Sequence, residues 1–542
     1  MQHSRDTNPA LYDVVVVGAG FSGLYMLHKL REFGFRVRGF EAATGVGGTW
    51  FWNRYPGARC DIDSFDYSYG FSEEVQQEWV WTETNASQPE IEAYLNFVAD
   101  KLDLRRDITF GTKVVGLRYN ESDFRWTLYT EAGEDFNSTF VVAATGCLSV
   151  PIEHRICDEE AFGGTTLFTN RFPAEGFDFA GKRVAVVGTG SSGVQVIPVL
   201  AEVASHLYVF QRSAAYTLPA FTRKISAEEV ADVKATYADL RLRQKRHPAG
   251  AARPVGPVVP PPTRRIVDAS AEELRSATME YGWGVTRMWT DVLTNLDAND
   301  IAKQLYAELI RQVVDDPEVA ASLVPTDLLG CKRQVYDNGY FTTFNRDNVT
   351  LVDLRKGGIE KVVATGIQTA QGTFEVDVIV YATGFDAMTG ALRKIDVRGR
   401  GGLSLRELWE AKGPLTYLGL QVAGFPNLFL VTGPGSPSVL SNMVASIEQH
   451  VEWIADCLVY LRDGGYRSIE ATEEAQDKWV DHVATQVEGR VSAEQSCASW
   501  YLGANVPGKK RVFMPYAGGL HVYREKCDDV VTGGYQGFAL DA

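Results

Sequence analysis

Close cysteine pairs are missing from this sequence. Its seven cysteines, Cys60, Cys147, Cys157, Cys331, Cys457, Cys497 and Cys527, are scattered and never spaced as CxxC or CxxxxC. That spacing argues against a disulfide framework, a zinc site or a redox-active dithiol, and it fits a reducing cytoplasm. Apolar runs long enough to span a membrane are missing as well. The N-terminus, Met1 to Leu11, is polar and lacks the apolar core of a signal peptide. Positive charge is scarce: 53 Lys and Arg against 69 Asp and Glu leave a formal net charge of -16, which disfavours nucleic acid and anionic membranes as partners. None of the eight histidines stands in a metal-binding or triad pattern. What is present is an ordinary globular composition, 45% apolar and 23% charged, on a chain of 542 residues. Such a length accommodates about two to four domains. Nothing in it sets an oligomeric state.

Two similar units organise the chain. Asp13 to Gly18 is a short continuous apolar strand, followed at once by Gly18-Ala-Gly20-Phe-Ser-Gly23 and a helical run of Leu24, Leu27 and Leu30. A second strand ends at Glu41. The pattern returns at Arg183 to Gly188, with Gly188-Thr-Gly190-Ser-Ser-Gly193, a helix over Val194 to Ala204, and a strand ending at Arg212. A lone GxGxxG is weak, but here each copy follows a strand and opens a helix. The first glycine permits the turn, the second lets a pyrophosphate approach the backbone, and the third lets helix and strand pack closely. The helix N-terminus offers free N–H groups to phosphate.

The residue ending the second strand selects the nucleotide. Glu41 accepts hydrogen bonds from ribose hydroxyls and repels a 2′-phosphate, so the first unit suits FAD or NAD. Arg212 offers a fork to a 2′-phosphate, so the second suits NADPH; a solvated surface arginine is the competing reading. The fold expected is α/β, with two dinucleotide-binding, Rossmann-like domains and a helical insertion in the second. Thr139 to Gly146 and Val376 to Gly384 read as strands ending in glycine turns, where the chain crosses between domains. The expected boundaries are 1–150 for the first part of the FAD domain, 151–385 for the NADPH domain with a helical subdomain over about 225–330, and 386–542 for the rest of the FAD domain. His247 to Arg264 is rich in Pro, Gly and Ala and reads as a mobile loop or linker. Ala271 to Val324 reads as helical, with a break near Asp315-Asp316-Pro317, and a further helix is expected from Asn442 to near Leu461.

The segment Gly47-Gly-Thr-Trp-Phe-Trp-Asn-Arg-Tyr-Pro-Gly-Ala-Arg-Cys-Asp61 resembles the second flavin segment of type I Baeyer–Villiger monooxygenases. The likeness continues through Ser87 to Glu90, Lys332-Arg333, Phe344 to Asp347, Ala382 to Asp386, Gly433 to Met443 and Trp500 to Gly508, nearly the whole chain in order. One departure stands out. The family's FxGxxxHxxxW fingerprint is met by Phe162 and Gly164, but Phe168 replaces the histidine and Phe172 the tryptophan. A phenylalanine neither hydrogen-bonds nor titrates, so Phe168 must do that work by packing.

The resemblance implies an enzyme that passes hydride from NADPH to FAD and uses O2 to convert a ketone into an ester or lactone. It implies that Arg333 holds anionic stages of the reaction and that Asp61 orients its guanidinium. Gly48, Thr49, Trp50, Asp61 and Tyr67 are implied flavin contacts. Thr189, Ser191 and Lys332 are implied contacts of NADPH. Trp500 falls on a mobile loop over about 492–510 that closes on substrate and nicotinamide. Ser438, Val439 and Met443 are implied to line the substrate pocket, Met443 also touching cofactor. From the residues alone, Lys332-Arg333 also reads as a solvated turn, Asp61 as a helix cap and Trp500 as a core aromatic. Trp50, Trp52 and Tyr55 read equally as flavin-stacking or core rings. Oxygenation of sulfur or nitrogen, and a flavin-dependent NADPH oxidase or reductase, are the alternative activities.

Overall fold

The computed structural model describes residues 11–152 and 156–542. The polar N-terminus up to Ala10 and residues 153–155 lie outside it. β1 (Leu11–Val17) and β2 (Val37–Phe40) pair in parallel, Val14 opposite Val37 and Val17 opposite Phe40. Their valines are buried on both faces, the state a continuous apolar strand requires. α1 (Phe21–Glu32) makes the crossover between them. β3 (Ile108–Thr109) extends the parallel edge beside β2. β4 (Val114–Asn120), β5 (Arg125–Thr130) and β6 (Asp135–Ala143) form an antiparallel meander whose last strand returns beside β1.

The second sheet is wholly parallel. β7 (Thr165–Phe168), β8 (Arg183–Val187), β9 (His206–Gln211), β10 (Val349–Asp353) and β11 (Val378–Tyr381) stand in the order β10-β9-β8-β11-β7. α2 (Ser191–Val203) joins β8 to β9. The helical insertion shares this sheet's core: Ile266, Val285, Leu305 and Ile310 cluster with Val184 and Leu200. Its main helix, Leu296–Val313, ends where expected, and Asp316 caps the next, with Pro317 in the first turn.

The first sheet is completed late. β12 (Asp396–Arg398) pairs with β4 and β13 (Leu428–Leu430) with β6. α3 (Met443–Gly464), capped by Asn442, packs Val451, Ile454 and Leu458 into the same core as Leu24, Leu27 and Leu30 of α1. The chain crosses between the two sheets twice, after Gly146 and after Gly384, both at positive φ. The crossings are hydrogen-bonded to each other: Ile152 N–H donates to Gly384 O at 3.1 Å, and Asp386 N–H to Val150 O at 2.9 Å.

Two expectations need correcting. Within His247 to Arg264, the stretch at Ala252-Arg253 is tied down rather than loose. The buried carboxylate of Asp66 accepts the N–H groups of Ala252 and Arg253, and the Arg253 guanidinium pairs with buried Asp63 at 3.1 Å. Two carboxylates taken out of water require those partners, a demand that composition does not register. The cysteines are also not all free. Cys331 and Cys497 form a disulfide across 166 residues, and the other five are unbonded. Local spacing is blind to a pair so far apart.

Candidate active site

Both glycine turns have the geometry a dinucleotide needs. Gly18 takes φ +110, and a Cβ there would lie 2.5 Å from the Ala144 carbonyl oxygen; Gly188, at φ +109, stands 2.5 Å from that of Ala382 in the same way. A Cβ on Gly23 or Gly193 would strike the carbonyl oxygen of its own first glycine at 1.9 or 2.1 Å. The middle glycines face space instead. Around Gly190 no protein atom comes within 4 Å of the Cβ position, and at Gly20 the nearest is Gly48 Cα at 3.4 Å. Neither α1 nor α2 has a side-chain cap at its N-terminus, so their first N–H groups are left for a ligand's phosphates. Gly18, Gly20, Gly188 and Gly190 line one cleft of about 960 Å³ between the sheets. Gly23 and Gly193 act behind the wall.

Glu41 and Arg212 also line this cleft. The Glu41 carboxylate accepts the N–H groups of Ala19 at 2.7 Å and Ala43 at 2.8 Å. Burial raises its pKa, and each oxygen keeps a lone pair for a ribose hydroxyl. Arg212 is exposed at the second nucleotide turn and takes no ion-pair partner among the described residues. These features fit two dinucleotides of different charge.

Where the two halves of the cleft meet, three distant parts of the chain converge. Arg333 donates from Nε at 2.9 Å and Nη2 at 2.6 Å to Oδ2 of Asp61, and from Nη1 at 2.6 Å to the Val439 carbonyl. Its pKa is pushed above even its ordinary value by the Asp61 charge, against the opposing effect of burial, with the Tyr501 hydroxyl as a further partner. The site therefore carries a fixed cation at every working pH. Two thiols lie beside it, and both stay protonated. Burial, reinforced by the Asp61 charge, pushes Cys60 well above its usual range, and burial pushes Cys147 up to about 11.

Residues 12–245 match the family model described as pyridine nucleotide-disulphide oxidoreductase. A Baeyer–Villiger monooxygenase of Pseudooceanicola batsensis is 40% identical over 98% of this chain and 96% of its own length. The chain belongs to the Baeyer–Villiger monooxygenases. The solved structure of oxidised steroid monooxygenase bound to NADP superposes on it with a TM-score of 0.91 and 48% identity, covering 98% of this chain and all of that one. A phenazine N-monooxygenase of Lysobacter antibioticus is 38% identical over 99% of this chain and 98% of its own length.

In this Baeyer–Villiger monooxygenase the other singled-out residues divide by position. Gly48, Thr49, Trp50, Asp61 and Tyr67 line the cleft on the side of the first sheet, and Trp50 Nε1–H donates to the Tyr67 hydroxyl at 3.1 Å. Thr189, Ser191 and Lys332 line it on the side of the second. Val439, Met443 and Trp500 stand on the shared wall. Trp50 and Tyr55 are mostly buried, whereas Trp52 is 41% exposed. Ser438 is not on the wall: it is fully buried, its hydroxyl 3.8 Å from the sulfurs of Met388 and Met443.

Sequence reasoning missed several contributors. Asp327 forms an ion pair with Lys332. Gln88 donates to the Trp50 carbonyl at 2.5 Å and so braces the flavin segment. Gln195, on α2, accepts from the Tyr55 hydroxyl at 2.7 Å and donates to the Arg59 carbonyl at 3.0 Å, joining the two domains. No motif marks any of them; Gln88 alone sits inside a recognised segment.

Proposed function

We propose that the chain is a cytoplasmic FAD- and NADPH-dependent oxygenase that inserts one atom of O2 beside a ketone carbonyl. The balance is ketone, O2, NADPH and a proton to ester or lactone, NADP+ and water. FAD, when bound, accepts hydride from NADPH and activates O2. The first glycine turn and Glu41 hold it by pyrophosphate and ribose, and the second turn with Arg212 and Lys332 holds NADPH. Arg333 is the observation that carries the reading. Asp61 and Val439 fix the guanidinium through three of its five N–H groups. Donors therefore remain for the negative oxygen that develops on the ketone, in a cleft where an oriented charge acts strongly. Val439, Met443 and Trp500 offer an apolar seat to the substrate's carbon skeleton and keep water from the reacting atoms.

A second reading, oxygen transfer to nitrogen or sulfur, is favoured by the phenazine N-monooxygenase among the relatives. Incubation of the FAD-loaded enzyme with NADPH, phenylacetone and an aryl thioether, followed by mass analysis, separates the two. Ester is the expected main product; sulfoxide with no ester would sink the first reading. Arg333→Ala should lower ester formation by about 10²–10³-fold, the range for losing one preorganised donor to a developing oxyanion. Undiminished ester formation by that variant would overturn its role. Arg212→Ala should cut the preference for NADPH over NADH by about ten- to a hundredfold, as expected for one charge-assisted contact. Steady-state KM values for the two coenzymes check this.

A further inference from the structure

We propose that the Cys331–Cys497 disulfide is a redox-released tether that positions the Lys332–Arg333 pair against the Trp500 loop. The inference rests on the oxygenase reading for what the positioned groups do, but the tether itself stands on geometry. Cys331 immediately precedes Lys332 and Arg333, and Cys497 precedes Trp500 by three residues. The bridge therefore joins the segment carrying the fixed cation to the segment carrying the aromatic wall of the cleft.

The loop after Cys497 buries Tyr501 and Leu502, whose carbonyls accept the N–H groups of Met514 and Val512, and it meets the rest of the site at two polar places. The Tyr501 hydroxyl lies beside the Arg333 guanidinium. Beyond it, Asn505 donates to the Phe385 carbonyl at 2.9 Å and Lys509 pairs with Asp386 at 2.6 Å, docking the loop on the interdomain crossing. The covalent link supplies the one attachment that is not reversible by thermal motion. Its loss leaves a segment held by non-covalent contacts alone, the buried Tyr501 and Leu502 among them, and these open more readily than a bond that fixes one end at high effective concentration. Both bridged residues are 1% exposed and pack with Leu502, flanked by Leu328, Ala504 and Phe513. Neither lines the cleft, so the pair is not placed to exchange electrons with a bound flavin. It acts on the position of its neighbours.

The release is a thiol–disulfide exchange with a dithiol reductant. A reductant thiolate attacks one protein sulfur, the Cys331–Cys497 bond breaks, and a mixed disulfide forms while the other cysteine leaves as thiolate and takes a proton. The second reductant thiol then closes the reductant's own disulfide and frees the remaining cysteine. Two electrons pass from reductant to protein, and two protein thiols result. A small-molecule disulfide reverses the step. Because both sulfurs are buried, attack requires the loop to move first, so reduction reads loop opening. Intracellular disulfides of ordinary-temperature organisms are mostly of this transient or sensing kind.

The test uses the full-length, FAD-loaded enzyme. Alkylation after unfolding, with and without prior dithiothreitol, should label seven cysteines with reductant and the five free ones without it. Limited proteolysis of the native protein should cut within residues 492–510 about tenfold faster after dithiothreitol, and oxidised glutathione should restore protection. The same treatment should raise KM for NADPH about tenfold with little change in the limiting rate of flavin bleaching, a coupling of ordinary size. The paired variant Cys331→Ser with Cys497→Ser should show the fast cleavage and high KM at the outset and ignore dithiothreitol. Seven labels without reductant, or cleavage and KM that dithiothreitol leaves unchanged in the wild type, overturn the proposal. Labelling and proteolysis do not depend on turnover. A protein that shows both changes yet makes no ester sinks the oxygenase reading and leaves the tether standing.

Discussion

His450 on α3 shows what a single side chain is forced to be by its partners. Its Nδ1 accepts the Thr432 N–H at 2.9 Å, and its Nε2 faces the Tyr523 hydroxyl at 2.8 Å, which itself donates to the Leu418 carbonyl at 2.5 Å. With Nδ1 an acceptor and the tyrosine proton already used, Nε2 must be the donor, so the ring is the neutral tautomer. Burial, with the nearby Arg524 charge second, pushes its pKa down to about 3. The ordinary value is about 6.5. Between those values the unfolded chain binds a proton that the folded one refuses, so stability is full above about 6.5 and is lost as pH falls toward 3. His450→Asn, which keeps an acceptor for Thr432, should therefore flatten the profile. The wild type should lose up to about 1.4 kcal/mol more per pH unit than the variant across that window. Denaturant melts at stepped pH measure this, and parallel curves would refute the assignment. Nothing in the sequence marks His450 among eight histidines, since its state is made by three residues from 18 to 73 positions away. Arg333 and Asp61 could be singled out because each sits inside a recognisable segment; their contact, across 272 residues, could not be derived from spacing.

At the scale of elements, the two glycines that open the second unit separate folding from binding. A Cβ on Gly188 meets the Ala382 carbonyl oxygen at 2.5 Å and demands φ +109 of a residue with a side chain. One on Gly190 meets no protein atom within 4 Å. Gly188→Ala should lower the melting temperature or abolish folding, by roughly the 1–3 kcal/mol of a strained backbone together with a main-chain clash. Gly190→Ala should melt like the wild type and lose about tenfold or more in affinity for NADP+, because only the incoming pyrophosphate contends with the new methyl. Melting curves and equilibrium titration check the pair, and equal melting losses would show that both glycines are structural. This much was legible, because a strand, a glycine turn and a helix follow one another directly in sequence. The Phe168 substitution was legible only as a loss. In the fold the Phe168 ring stacks with Tyr381 at 5.2 Å, and the Arg171 guanidinium sits over it at 4.1 Å. That layered contact clips β7 to β11 just before the second crossing, and it needs register partners 213 residues apart.

The whole molecule works only if the two nucleotide sites face each other at a fixed distance, and one close backbone contact lies at the joint between them. Gly57 takes φ +84 against α2, where a Cβ would lie 2.4 Å from the Gln195 carbonyl oxygen. Around it the Gln195 side chain bridges Tyr55 and Arg59, and Tyr55 and Ala58 belong to the core of the second domain although their segment belongs to the first. The sequence shows a glycine in a flavin segment; it does not show that the glycine is there for a helix some 138 residues further on. Gly57→Ala must push α2 away, since main-chain oxygen cannot rotate aside as a side chain can. Each half of the cleft keeps its own contacts, so FAD content and the affinity for NADP+ should stay within about twofold of wild type. Hydride transfer depends on the distance between them, and a displacement of about 1 Å is enough to slow such a step by about 10²-fold. Rapid mixing of the FAD-loaded variant with NADPH in the absence of oxygen reads that step directly as flavin bleaching. A wild-type bleaching rate would mean that the domains are registered elsewhere, through contacts such as the Asp61–Arg333 pair and the paired crossings; a loss of FAD or of NADP+ binding would mean that Gly57 shapes a nucleotide site and not the distance between two.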